Sequence, residues 1–310
     1  MRYYLFILVL GMISCNPIQN PQEALFRQEL EQQLRNQTQL LVTAEIADDL
    51  PAFIRYYDEH AISMPEYQLT LHGHAEINRF YSTVFRRQAI TSFQKTANEF
   101  IHMDSTIVEI GTFKKKYSLQ YADSSVTLTG KYWHVWQIMP DGNPKLKGES
   151  FGYFHSVVDP ASLVMDSLRE QPDEWDLENQ QETPFELKAY NALMEKGVRT
   201  RDGILRARFF TTDGVIFPFA DTTVTGMDQI KPYLIAYCSR GKVTIDSIQC
   251  YTYAFERQGD YILEYDMFKV KWQIPDFTGR TEGKGIRIWK RQPDQSLRLY
   301  REIGTHNHLP

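Results

Sequence analysis

The chain has 310 residues, of which 42% are hydrophobic and 13% aromatic. That length suits two domains of ordinary size, and the composition supplies ample material for packed cores. A formal net charge of −5 provides no basic field, which argues against nucleic acid as a partner.

In chain order, the first residues predict an export signal. Arg2 is the only charge before an apolar run from Tyr3 to Ile13. Such a run is too short to cross a bilayer, which takes about 20 residues. It leads into Ser14-Cys15, a phrase that resembles the lipobox of bacterial lipoproteins. The resemblance implies cleavage of residues 1–14, lipidation of Cys15, and a lipid-anchored place in the bacterial cell envelope, at the outer membrane or facing the periplasm. The membrane is then a partner through Cys15, and polar residues 15–21 form a tether. The alternative is an ordinary cleaved signal or an uncleaved anchor, with Cys15 incidental. Once Cys15 is acylated, Cys238 and Cys250 remain, and buried free thiols are expected ahead of a disulfide.

Pro21 to Ile46 places apolar residues at helical spacing with no interior Gly or Pro, predicting a long amphipathic helix. Asp48-Asp49 followed by Pro51 starts a second helix bearing Phe53, Tyr56 and Tyr57. Ala61 to Gly73 is extended, with Pro65 confining that strand to an edge or a bulge. His74 to Arg87 is a third helix, with Ile77, Phe80, Tyr81 and Val84 on one face. From Thr91 onward the pattern alternates like strands, and Pro140-Asp141-Gly142 suits a hairpin turn. The basic run Lys114 to Lys116 reads as protection of a sheet edge, with contact to anionic headgroups as the sharper alternative.

The same order then recurs 153 residues later. This shift takes Asp49 to Asp202, Pro65 to Pro218, Gly73 to Gly226, Gly130 to Gly283, Trp136 to Trp289 and Glu149 to Glu302. A two-residue slip, where Phe113 matches Phe268, is undone before Gly283. The chain is therefore expected to be a tandem duplication, with domains at 22–158 and 184–310. Between them, residues 159–183 carry eight acids against Arg169 and read as a solvated linker, with a short helix from Ala161 to Glu170. Helices first and a meandering sheet afterwards make each copy an α+β domain.

The Tyr56-Tyr57 helix, the Pro65 to Gly73 spacing and the phrase Gly130-Lys131-Tyr132, Trp136, Pro140-Asp141-Gly142 resemble the SnoaL-like domain. That family belongs to the ketosteroid-isomerase-like group of the nuclear transport factor two-like superfamily, and the resemblance covers each copy once. It implies a cone of strongly curved antiparallel sheet wrapped around helices, with a pocket inside. Such pockets act on small apolar rings by acid–base chemistry or only bind them, and other members are association modules. Fold alone therefore leaves function open.

In the ketosteroid isomerases the catalytic base is an Asp just before the strand proline. That slot holds Met64 and Phe217, neither of which accepts a proton. The family's second position, a buried protonated Asp, falls on His134 and Arg287 by counting back from the turn. Period-two alternation groups Tyr132, His134 and Trp136 against Lys131, Trp133 and Val135, and it groups Gly285, Arg287 and Trp289 in the second copy. The resemblance turns the first group inward. His134 is then a titratable group in an aromatic pocket, or else a polar residue that satisfies a neighbour. Glu149 shares a slot with Glu302, and would either pair with His134 or be an exposed strand glutamate.

The expected ligand-binding residues are Met64, Tyr132, His134, Trp136, Glu149 and Phe151 in the first domain, and Phe217, Arg287 and Trp289 in the second. The leading expectation is a small apolar molecule bound without turnover, in a protein whose two domains pack as an intramolecular pseudo-dimer. The alternatives are an isomerase, cyclase or hydratase with His134 and Glu149 as catalytic residues, or a purely structural association module. No cofactor and no metal are expected. The pairs His72 with His74 and His306 with His308 lack a third ligand, and phosphate-loop, CxxC and GxSxG motifs are missing.

Overall fold

The computed structural model describes residues 21–119, 125–164 and 183–308. Cys15, the signal and most of the tether and acidic linker lie outside the described residues. Among those described, no helix is long and apolar enough to cross a membrane.

Helix α1 (Pro21–Ile46) has the expected span and buries Leu34, Thr38, Leu41, Val42 and Glu45 along one stripe. The Asp49 carboxylate caps α2 (Leu50–Ile54) by accepting from the Ala52 amide at 3.0 Å. This helix is shorter than expected, because Tyr57 already opens strand β1 (Tyr57–Pro65). Then follow β2 (Leu71–His72), α3 (Gly73–Arg87), β3 (Gln88–Met103), β4 (Thr106–Leu119), β5 (Ser125–Ile138) and β6 (Pro144–Tyr153). Their order in the sheet is β2-β1-β6-β5-β4-β3, with β1 parallel to β6 and the other pairs antiparallel. Irregularities at Ile90/Ser92 and Ala97/Glu99 in β3, and at Lys147 in β6 opposite Val135/Trp136, bend the sheet around α1 and α3.

The second half repeats this layout. A 3₁₀ turn at Pro160–Leu163 ends the first domain, and only this start of the expected linker helix is described. Beyond the linker come α4 (Phe185–Arg199), α5 (Gly203–Ala207), β7 (Phe210–Phe217), β8 (Val224–Thr225) and α6 (Met227–Ser239). Strands β9 (Thr244–Gln258), β10 (Tyr261–Ile274), β11 (Phe277–Arg291) and β12 (Leu297–His306) complete it. The sheet order is β8-β7-β12-β11-β10-β9, the same permutation. The chain is two tandem cone-shaped α+β domains. Cys238 and Cys250 are free thiols.

One sequence expectation is corrected by this order. Lys114 to Lys116 lie on β4, which pairs on both sides, so they do not guard an edge; β3 is the edge strand. Alternation sends Lys115 inward, where its ammonium meets Glu45 at 2.7 Å, while Lys114 and Lys116 stay exposed.

The convex faces of the two sheets pack on each other. Met64, Val108, Ile110, Trp133 and Val135 of the first domain join Phe217, Leu263, Tyr265, Ile286, Ile288 and Ile303 of the second in one buried cluster. Trp133 meets Phe217 edge-on, with ring centroids 5.5 Å apart. Lys131 and Lys284, one repeat apart, cross the boundary reciprocally. Lys131 Nζ donates to Tyr153 O of its own domain at 2.7 Å, and to Pro218 O and Asp221 O of the other. Lys284 Nζ donates to Gln68 O across the boundary and to Asn307 Oδ1. Gln68 and Asp221 are themselves one repeat apart, so the interface is self-complementary. Arg301 with Glu99 at 2.6 Å, and Lys147 with Glu256, close its flanks.

Two stability outcomes follow from this packing. Trp133→Ala opens a void between the sheets and costs about 3–5 kcal/mol in denaturant unfolding, with both domains losing their transition together. The second concerns His306, whose ring stacks on Phe219 at 3.9 Å. Burial, aided by Lys284, lowers its pKa from 6.5 to about 4. The unfolded chain therefore takes up this proton below pH 6.5 while the folded one does not. Stability falls as pH drops from 6.5 toward 4, and His306→Phe flattens that decline in a denaturation series across this range.

Candidate functional site

Strand register builds the site. Ser63 on β1 pairs with Glu149 on β6, Glu149 with His134 on β5, and His134 with Glu109 on β4. One polar row thus crosses four strands on the inner face of the first cone. Glu149, His134 and Glu109 are at most 2% exposed.

Glu109 is the most heavily engaged member. It accepts from Tyr132 Oη at 2.6 Å, Thr38 Oγ1 at 2.8 Å and the Trp136 indole N–H at 2.9 Å. Burial raises its pKa, but His134, Tyr132 and Trp136 together outweigh this and leave it below the ordinary carboxylate range. His134 contacts Thr38 Oγ1 through Nδ1 at 3.2 Å and the Lys95 ammonium through Nε2 at 2.9 Å. Lysine only donates, so Nε2 accepts and the ring proton sits on Nδ1. The result is a relay: Lys95 donates to His134, His134 to Thr38, and Thr38 to Glu109. Burial, and then the charge of Lys95, push the His134 pKa down despite Glu109 and Glu149.

Glu149 belongs to a separate group. It accepts from Ser63 Oγ at 2.6 Å, Tyr57 Oη at 2.9 Å and Tyr81 Oη at 3.0 Å. Burial first, and the Glu149 charge second, raise both tyrosine pKa values well above the usual range.

A cavity of about 60 Å³ adjoins this row. Phe80, Phe93, Phe113, Phe151 and Tyr153 line it together with Lys95, Lys115 and Tyr81. Tyr81 and Lys95 connect it to the two carboxylates beneath.

Of the sequence-derived residues, Tyr132, His134, Trp136 and Glu149 face the cone beneath the cavity, and Phe151 lines it. His134 and Glu149 are neighbours in register, yet no hydrogen bond or ion pair joins them, so the dyad of the enzyme alternative is not assembled. Met64 and Phe217 are corrected outright. Both lie in the interdomain cluster, because alternation gives the inner face to the preceding residues, Ser63 and Ile216. His72, from one of the H-x-H pairs, hydrogen-bonds Tyr253 Oη through Nδ1 at 3.1 Å.

The second cone repeats the row with different chemistry. Arg287 stands opposite Glu302 and Glu264, matching His134 between Glu149 and Glu109. Its guanidinium meets Asp266 at 2.9 Å, Glu302 at 3.0 Å and Glu264 at 3.7 Å. Burial raises the Asp266 pKa to about 7 against the pull of Arg287. Trp289 Nε1 donates to Glu264 at 2.6 Å, as Trp136 does to Glu109.

The two cones diverge at one cross-strand pair. In the first, Tyr132 pairs with Gly111, and a β-carbon on Gly111 would come within 2.5 Å of the Tyr132 ring. In the second, Gly285 pairs with Asp266. The bulky partner has changed strands, which exchanges a tyrosine hydroxyl for a carboxylate next to Arg287.

Sequence reasoning missed Lys95, Glu109, Glu264 and Asp266. Glu109 and Glu264 carried a usable signal: each is an acid between apolar neighbours in a strand, and they match under the slipped register of 155. Lys95 carried none, since it sits in a polar strand among exposed residues.

Glu109→Leu leaves the Tyr132, Thr38 and Trp136 donors buried without an acceptor. The expected loss is about 3–5 kcal/mol, read as a lower denaturant midpoint. Glu109→Gln, which keeps an acceptor, loses less.

Neither a protein-family model nor a curated protein matches the chain. Among solved structures it is similar to a ketosteroid isomerase-like protein from Erwinia carotovora atroseptica, at 12% identity and TM-score 0.36, over 38% of this chain and 92% of that one. It is also similar to an NTF2-like protein from Cytophaga hutchinsonii, at 16% identity and TM-score 0.33, over 44% and 99%. A third is ActVI-ORFA from Streptomyces coelicolor, at 18% identity and TM-score 0.34, over 40% and 96%. Each resemblance spans about one domain of this chain, and the cone architecture stands on the strand order and register given above.

Proposed function

We propose that the first domain is a binding cup for a small, largely apolar molecule and that the second is its structural counterpart. The observation that carries this reading is the aromatic cavity of about 60 Å³ in the first cone. Its size takes a ligand of a few heavy atoms, or the end of a longer one. Binding without turnover is the better reading, because the slot before the strand proline faces the other domain in both copies. The inward carboxylates Glu109 and Glu149 are already held by donors of the fold, and on the cavity wall Glu45 accepts from Lys115 and Glu66 from the Tyr153 amide. In the second cone, Arg287 and its three carboxylates occupy the corresponding ground.

Native mass spectrometry of the protein purified from its own host tests this. A retained small molecule is expected, and it disappears in Leu128→Trp, which fills the cavity from one wall. A wild-type protein that carries nothing, and that takes up no small aromatic or aliphatic probe in calorimetry, defeats the reading.

The Ser14-Cys15 phrase supports envelope anchoring of this cup. Metabolic labelling with a fatty acid is expected to mark the wild type and not Cys15→Ser.

A further inference from the structure

Lys95 stands apart from the other polar groups of the first cone. An ammonium has three hydrogens to give, and its neighbours normally supply acceptors for them. Among the described residues, the one acceptor its ammonium meets is His134 Nε2, at 2.9 Å. Otherwise it faces aromatic rings, with Tyr132 at 4.8 Å and Phe93 at 5.7 Å from Nζ. Lys115, on the same cavity, differs: its ammonium is engaged by Glu45 at 2.7 Å and Gln88 at 2.8 Å.

A lysine on an aromatic wall, within hydrogen-bond reach of an imidazole that a third group orients, is the arrangement of an activated amine nucleophile. His134 is that imidazole, and Thr38 and Glu109 orient it. Burial lowers the Lys95 pKa, and Lys115 adds to the effect against Glu45, Glu149 and Glu109. Desolvation therefore eases loss of a proton from the resting ammonium, which frees the lone pair that attacks.

We propose that Lys95 captures a small aldehyde or ketone in the cavity as a covalent imine, with His134 moving the protons. This rests on the reading of the first domain as a binding cup and names the ligand class. The Nζ lone pair attacks the carbonyl carbon, a C–N bond forms, and the C=O π pair moves onto oxygen. His134 Nε2 carries the two Nζ hydrogens to that oxygen, one at each stage. The oxygen leaves as water while the C=N bond forms. The balance closes on amine plus carbonyl giving imine plus water, with no oxidant or reductant. Glu109, through Thr38, steadies the imidazolium between the two transfers.

The test is brief exposure of the full chain to butanal with cyanoborohydride, which freezes an imine as a butyl-lysine, followed by peptide mapping. Lys95 is expected to be alkylated about tenfold or more faster than the chain's other lysines. Lys95→Arg abolishes that adduct, Lys114→Met on the exposed face of β4 leaves it, and His134→Phe slows it to the rate of a surface lysine. Labelling of Lys95 no faster than the others, or equally fast in His134→Phe, overturns the proposal. Binding of butan-1-ol, which has no carbonyl, is measured in parallel by calorimetry. Alcohol binding without preferential trapping at Lys95 sinks the imine and keeps the cup. Neither binding nor trapping sinks both.

Discussion

A carboxylate buried in an apolar cup is tolerated only where enough donors meet it, and both cups of this protein use the same first donor. Trp136 reaches Glu109 and Trp289 reaches Glu264 with the indole N–H. Removing a full charge from water costs several kcal/mol unless hydrogen bonds replace the lost solvent. The residues around each Glu are therefore constrained together. Thr38 on α1 supplies a donor in the first domain; in the second, Asn191 on α4 donates to Thr252, which donates to Glu264. The helix is thereby fixed over the sheet by a polar tie as well as by apolar packing.

From that shared anchor the cups diverge. A tyrosine over a glycine keeps the first floor largely aromatic and leaves His134 uncharged. A glycine opposite Asp266 draws in Arg287 and converts the second floor into an ionic cluster. Both solutions satisfy buried groups, and the first leaves aromatic walls around a space. The asymmetry of function proposed for the domains comes down to this exchange across one strand pair, together with His134 in place of arginine.

The interface explains why the strands read as they do. Each sheet covers helices on its concave face and the other sheet on its convex face, so β5 is buried continuously from Gly130 to Trp136. Such a strand cannot show the polar alternation of a half-exposed sheet. Lys131 and Lys284 are fully buried polar residues on the convex side, and each donates to backbone carbonyl oxygen of the opposite domain. Glu66 accepts from the Tyr153 amide, and burial raises its pKa to about 7 while the charges of the two lysines pull it down.

The sequence by itself determined the duplication, because one register shift relates particular residues from Asp49 to Glu302. It also determined the span of α1, through uninterrupted helical periodicity, and the partition of β5 into two faces. It could not decide which face of β1 is inside: an alternating strand buried on both sides gives no polarity contrast, so Met64 read as a pocket residue and is an interface residue. It placed His134 and Glu149 side by side but not their partners. Those partners, Thr38, Lys95, Tyr57 and Tyr81, lie 39 to 96 residues away along the chain and arrive only when β1 and β3 join the sheet and helices close over it. Local pattern records which residues share a face; which donor fills each buried acceptor is settled by tertiary packing, where desolvation makes the choice matter.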